Sequence, residues 1–316
     1  MLTRIPTAED IQKAHERIAP YIHRTPVMRS QSLDKLVKAS LYFKCENFQK
    51  CGAFKMRGAS NAVFSLPSAV LEKGVATHSS GNHGAALALA AKLANTKAYV
   101  VMPKNSAKIK VEAVKEYGGE VVFCENTQAA REETLAEVVR QTGAHFIHPF
   151  DNYDVIAGQA TAAKEFLEEV PSLEHLVVPV GGGGLLSGTA LSRCYFSPQT
   201  IVWAGEPEGA PDTFLSFQQR KRIPNHTVAT IADGLRANVG ELTFPIIQKY
   251  VSHVILVSDE AIIQAIRLVW ERLKIVIEPS CAVPLAAVLK EKARFEGKKV
   301  GIILSGGNVD LSKLPF

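Results

Sequence analysis

The stretch FQKCGAFKMRGASN sets Lys55 between Phe54 and Met56, with Gly52 and Gly58 close on either side. An ammonium held in an apolar, glycine-pinned frame loses hydration, so its pKa falls and the free amine becomes a nucleophile and base. A solvated surface lysine is the bland reading of any single Lys, and the other candidate stretches argue against it. Gly181, Gly182, Gly183 and Gly184 stand between an apolar strand and a helix. There, side-chain-free residues let several N–H groups converge on an anion such as a phosphate. A tight turn is the competing reading, but four consecutive glycines lose more conformational entropy than a turn requires. SSGNHGAA (79–86) opens a helix after a strand. Its N–H groups and the side chains of Ser79, Ser80 and Asn82 can hold a small carboxylate, or Ser or Asn can simply cap the helix. His83 taken alone reads as a packing or hydrogen-bonding residue. Ser305 ends the last strand ahead of two glycines, facing the crevice of a parallel sheet or an ordinary turn. GEPEGAPD offers Glu206, the Ala210 carbonyl and Asp212, which suit a hard cation or form a solvated acidic loop.

The elements that must position these groups follow the pattern of alternation. From Gly74 the chain reads strand GVATHSS, helix NHGAALALAAKLA, strand KAYVVMP, helix SAKIKVEAVKEYG, strand EVVFCE, helix QAAREETLAEVVRQTG and strand HFIHPF. Strands alternating with helices predict parallel βαβ units. Residues 74–149 are therefore expected to form a small α/β domain. Residues 1–73 and 150–316 are expected to form a larger, discontinuous one around the strands SLYFKCENFQ, HLVVPV, TIVWAGEP, SHVILV and KVGIILS. HRTPVMRSQSLDKL reads as a loop leading into a helix.

Composition narrows the classes. A chain of 316 residues with 47% hydrophobic and 21% charged residues buries a large core. A net charge of +5 without basic runs excludes nucleic acid as the natural partner. Five scattered cysteines without a CxxC pair argue against disulfides or zinc and point to a reducing, cytoplasmic setting. No apolar run reaches membrane-spanning length and the first residues read as a capped helix, so neither a membrane anchor nor a signal peptide is expected.

Taken together and in order, HERIAPYIHRTPV, FKCENFQKCGAFKMRGA, SSGNHGAA, VIAGQATAAKE, PVGGGGLLSG, TIADG and SGGNVD resemble the fold-type-II pyridoxal-phosphate enzymes, in the serine racemase and serine/threonine dehydratase branch. The resemblance covers essentially the whole chain. It implies a tryptophan synthase β-like fold of two three-layer α/β domains with mostly parallel sheets, and a homodimer. It implies that Lys55 carries pyridoxal 5'-phosphate, that Phe54 lies against the pyridine ring and that Asn82 bonds the ring hydroxyl. Gly181–Gly184 then hold the phosphate and Ser305 meets the pyridine nitrogen. A neutral hydroxyl does not force that nitrogen to be protonated, so the ring is a weaker electron sink and prompt loss of a β-hydroxyl is favoured.

The implied substrate is a small amino acid, L-serine or a β-hydroxy relative, with its carboxylate on Ser79, Ser80, Gly81, Asn82 and His83. Its amine displaces Lys55, which removes the α-proton; loss of the hydroxyl and hydrolysis give a 2-oxo acid and ammonia. Ser80 stands where dehydratases of the threonine-deaminase type usually carry alanine. A hydroxyl opposite Lys55 can return a proton to the other face, so racemisation with elimination is the leading expectation and a dedicated threonine/serine or 3-hydroxyaspartate ammonia-lyase the alternative. Glu206, Ala210 and Asp212 match the branch's loop for Mg2+ (or Ca2+ or Mn2+). Phe150 replaces a polar cofactor contact of some racemases, and no contact is assigned to it. Gly84-Ala85-Ala86 likewise departs from the usual glutamine-containing sequence. A β-replacement enzyme of the cysteine synthase kind would prefer a TSGN-type loop, and a silent binding protein would not need Lys55.

Overall fold

The computed structural model of the chain describes residues 1–79, 81–225 and 227–314, the side chain of Lys313 excepted. Its ten strands are β1 (Val27–Met28), β2 (Ser40–Cys45), β3 (Val75–His78), β4 (Ala98–Pro103), β5 (Glu120–Cys124), β6 (His145–Phe146), β7 (His175–Pro179), β8 (Ile201–Pro207), β9 (His253–Val257) and β10 (Lys299–Leu304). They form a six-stranded sheet, ordered β1-β2-β10-β7-β8-β9, and a four-stranded sheet, ordered β5-β4-β3-β6. Every pairing is parallel except β1 with β2, where Val27 faces Lys44. The segment read as a loop at HRTPV thus contributes a two-residue antiparallel edge, and the apolar run HFIHPF is strand only at His145–Phe146. Pro149 helps to explain the second difference, because it has no N–H for a ladder.

Each sheet is buried on both faces, as parallel sheets with crossover helices must be. Along β7, Val177 joins one core with Trp203 and Ile302, while Leu176 and Val178 join the other with Val202, Ala204 and Ile303. The period of two sends successive side chains to opposite helical layers. In the small sheet, Val75 and Val100 face the helices Asn82–Leu93 and Lys108–Glu116, while Ala76 and Val101 face the helix Gln128–Thr142. Met56, Ala59, Ala62 and Val63 of the helix Lys55–Phe64 share the first of these cores with Ala86 and Leu87.

Both sheets present a point where the chain reverses its direction of travel. β7 and β10 are neighbours, yet the chain leaves β7 toward β8; β3 and β6 are neighbours, yet the chain leaves β3 toward β4. A crevice opens beyond the carboxyl ends of strands at such a point. The four strand ends lead to Gly181–Gly184, Ser305, Ser79–Asn82 and Pro149.

Candidate active site

Lys55 is the first residue of its helix, and its Nζ donates to the Pro149 carbonyl at 2.8 Å while lying 5.2 Å from the centre of the Phe54 ring. Burial drives the amine down to about 8, against a smaller upward pull from the Glu278 carboxyl. The lowered lysine expected from the sequence is therefore present, although the side chain keeps partial exposure at the crevice mouth. The Phe54 N–H donates to the Ser305 carbonyl at 3.0 Å and Ala53 bridges Gly306, so the end of β10 is tied directly to the lysine helix. Ser305 is 3% exposed.

Gly58 does something the sequence did not reveal. A Cβ on Gly58 would lie 2.3 Å from Gln159 Nε2, and one on Gly158 would lie 2.5 Å from the Arg57 carbonyl. A Cβ on Gly188 would lie 2.6 Å from the Ala160 nitrogen. The helices Lys55–Phe64, Tyr153–Glu169 and Gly184–Phe196 therefore stack backbone to backbone, which fixes Lys55 relative to the glycine run at the head of the third. Arg57, two residues beyond Lys55, points away from the crevice. Its guanidinium donates to both oxygens of Glu46 (2.7 and 2.8 Å) and both of Glu165 (2.8 Å each). Lys44 adds a further bond to Glu165 at 2.8 Å. Burial would raise the Glu165 carboxyl, but Arg57 and Lys44 hold it at about 2. Two cations and two anions, all fully covered, close this network without residual charge.

Gly183 takes a left-handed φ of +90°. A Cβ on Gly182 would fall 2.4 Å from the Phe150 ring and one on Gly181 2.8 Å from Leu235 Cα. Phe150 is thus a wall of the glycine loop, in place of a polar contact. Thr243 Oγ1 donates to the Gly182 carbonyl at 2.8 Å, and Asp151 accepts from the N–H groups of Glu241, Leu242 and Thr243. Among the described residues, the buried N–H groups of Gly181–Leu186 donate to no backbone carbonyl. Six orphaned donors at the start of a helix form an anion cup.

The loop after β3 begins with Ser79, whose N–H still pairs with the Val101 carbonyl at 3.0 Å and whose Oγ accepts from the Gly81 N–H at 3.3 Å. Ser80 lies outside the described residues. Among the described residues, the helix Asn82–Leu93 starts after Gly81, which has no side chain to cap it. Asn82 instead turns its amide across the crevice. Its Nδ2 donates to Glu278 Oε1 at 2.8 Å, while its Oδ1 accepts from Asn308 Nδ2 at 3.0 Å. His83 is 2% exposed, and burial followed by Lys55 and His148 holds it well below the usual histidine range. It is neutral.

Glu278 is the member of the site that sequence reasoning missed. Its carboxyl is 3% exposed and is raised to about 8 by burial and then by Asp233. A Cβ on Gly306 would sit 2.5 Å from Glu278 Oε1. The IEPS sequence gave no sign of this, because a Glu before a proline reads as the start of a helix.

The acidic loop lies elsewhere in the large sheet's half. Glu206 is the penultimate residue of β8, and its oxygens accept from the N–H groups of Thr213 and Phe214 at 2.8 Å each. Asp212 accepts from Asn225 Nδ2 at 2.8 Å and the Val239 N–H at 2.7 Å. Both acids and Ala210 are fully buried, so the solvated-loop reading fails. Burial, with Asp212 nearby, raises Glu206 to about 8; burial raises Asp212 to about 6. Among the described residues, no group of three or more His, Cys, Asp or Glu is arranged to hold a metal ion.

Lys55 bonds Pro149, and the next residue, Phe150, packs on the glycine run, so a desolvated amine and bare helix-start N–H groups lie in one region, an arrangement that suits a phosphorylated carbonyl compound. The chain belongs to the pyridoxal-phosphate dependent enzymes, a family that matches residues 18–306. It is 49% identical to the beta-hydroxyaspartate dehydratase of Paracoccus denitrificans, over 99% of both chains. It is 51% identical to the serine racemase of Dictyostelium discoideum, over 98% of this chain and 96% of that one. The structure of maize serine racemase superposes with a TM-score of 0.96 at 47% identity, covering 98% of this chain and 95% of that one. The fold is accordingly that of the fold-type-II enzymes, and the orphaned N–H cup and the lowered Lys55 amine fit pyridoxal phosphate.

Proposed function

We propose that the protein acts on L-serine and related β-hydroxy amino acids, inverting the α-carbon and, in competition, eliminating water to give a 2-oxo acid and ammonia. The observation that carries this is the Lys55 amine, desolvated to about 8 in the crevice where the two sheets' strand ends meet. Support also comes from relatives named as racemase and as dehydratase at nearly equal identity. The dedicated ammonia-lyase therefore stays as the second reading.

When bound, pyridoxal phosphate would supply an electron sink for the negative charge left at the α-carbon. Gly181–Gly184 would hold its phosphate, Phe54 would lie along its ring, and Asn82 would donate to its ring hydroxyl. Ser305 would face the ring nitrogen. The chain's own residues do the rest. Ser79, Gly81, Asn82 and the N-terminus of their helix hold the substrate carboxylate, while neutral, buried His83 excludes water behind it. Lys55 takes the α-proton from one face, and in inversion Ser80 returns one to the other. In elimination the hydroxyl leaves with a proton as water, and a second water releases ammonia.

Glu206, the Ala210 carbonyl and Asp212 would bind Mg2+ or a similar hard cation with water completing the shell, because two buried acids need a counter-charge once they lose their protons. A homodimer and a cytoplasmic setting complete the proposal; among the described residues no helix is long and apolar enough to cross a membrane. We also propose that 74–149 behaves as a small domain against 1–73 and 150–316.

Lys55→Ala is expected to abolish the visible absorbance of the lysine-bound cofactor; absorbance that persists unchanged would sink the assignment. D-serine and pyruvate measured together from L-serine divide the two readings. Ser80→Ala is expected to remove D-serine formation while pyruvate formation survives, and a parallel loss of both would rule out Ser80 as the opposite-face acid.

A further inference from the structure

One charged pair outside the residues already assigned spans the mouth of the crevice. Lys110 stands in the first turn of the helix Lys108–Glu116, which packs on the small sheet. Asp233 begins the turn Asp233–Leu235, whose Leu235 lies against Gly181 of the anion cup. Lys110 Nζ is ion-paired with Asp233 Oδ2. It also leans over Gly81, where it is the heavy atom that a Cβ would meet, at 3.8 Å. The Lys110 side chain is 19% exposed and that of Asp233 39%, so the cation is turned inward and its partner sits on the rim. Both charges reach the crevice floor, where Asp233 raises the Glu278 carboxyl and Lys110 lowers it.

We propose that Lys110 is a specificity-determining residue that favours substrates with a second carboxylate on the β-carbon, Asp233 being the resident counter-ion that such a substrate displaces. This rests on the proposed substrate class and on the SSGN loop holding the α-carboxylate. The second carboxylate of a 3-hydroxyaspartate would come near Asp233, whose charge repels it unless a cation intervenes. Lys110 has a long, rotatable stem and can turn from Asp233 to the substrate. Asp233 remains solvated when released, so the exchange costs little. Serine offers nothing to exchange, and with it the Lys110–Asp233 pair stays closed.

The test uses the cofactor-loaded enzyme and compares kcat/KM for 3-hydroxyaspartate and for L-serine in wild type, Lys110→Gln and Asp233→Asn. Lys110→Gln is expected to shift the ratio against the dicarboxylate by about tenfold, mainly through KM, the size of one charge-assisted bond. Asp233→Asn is expected to shift it the opposite way, because Lys110 loses its competitor. Equal losses on both substrates in both variants would make the pair a plain latch between the two halves and overturn the proposal. Binding of L-aspartate and of L-alanine, read as the rise in unfolding midpoint of the loaded enzyme, repeats the comparison without turnover. Loss of the aspartate effect alone in Lys110→Gln supports the assignment, and unchanged effects in all three proteins refute it even if neither hydroxy acid is turned over.

Discussion

Lys55 and Glu278 share one small, poorly hydrated space, and each is brought near 8 by it from opposite directions. Burial disfavours whichever form is charged, so it lowers the amine and raises the acid. The Glu278 carboxylate opposes part of the lysine shift, so removing it lets the amine fall further. Glu278→Gln is therefore expected to move the acidic limb of the kcat profile to lower pH, since kcat reports the groups of the enzyme–substrate complex. The same change alters the acceptor of Asn82 Nδ2. A change in the absorbance spectrum of the bound cofactor should accompany it, whereas a superimposable spectrum and profile would reduce Glu278 to packing. That Lys55 mattered was legible from its apolar neighbours. Glu278 was not legible, because its significance comes from Asn82, 196 positions away.

Among the elements, the stack of three helices decides how firmly the amine faces the cup. Gly58, Gly158 and Gly188 are the contact points, and the closest approach to backbone puts a prospective Cβ of residue 158 at 2.5 Å from a carbonyl oxygen. A backbone carbonyl cannot rotate aside as a side chain would. Gly158→Ala is expected to cost about 1–3 kcal/mol of stability, in the range of overpacked cores. Urea unfolding measures it, and an unchanged midpoint would mean that the helices separate without penalty. The alternation of strands and helices was readable from period and turn residues. Short β1 and the truncated β6 were not, because two-residue strands are defined by their pairing partners and carry no period of their own.

For the molecule as a whole, the buried acids set a pH dependence. Glu206 at about 8 and Asp212 at about 6 lie above their ordinary values of 4.5 and 3.8. The folded chain then holds protons on these acids that the unfolded chain has released, so their share of stability falls as pH rises from about 4 to about 8, while the buried histidines, His83 and His148 among them, add a share that rises up to about 6.5. Glu278 adds to the falling share. A divalent cation at Glu206 and Asp212 would favour their ionised forms and remove only their share. The excess of the melting temperature with Mg2+ over that with chelator should therefore grow as pH rises across that range. Coincident curves would leave the two acids as a proton-holding pair without a metal.

The order of motifs along the chain determined the family and the cofactor, because an amine that must be desolvated and a phosphate that needs bare N–H groups each leave a local trace in residue type. Local sequence also carried the α/β class through its period. Tertiary structure alone decided which strand ends share a crevice, which glycines serve helix contact and which serve the cup, and that Glu278 and Lys110 flank the site. Those facts depend on atoms brought within a few ångströms by the crossing of two sheets, and separation along the chain holds no record of them.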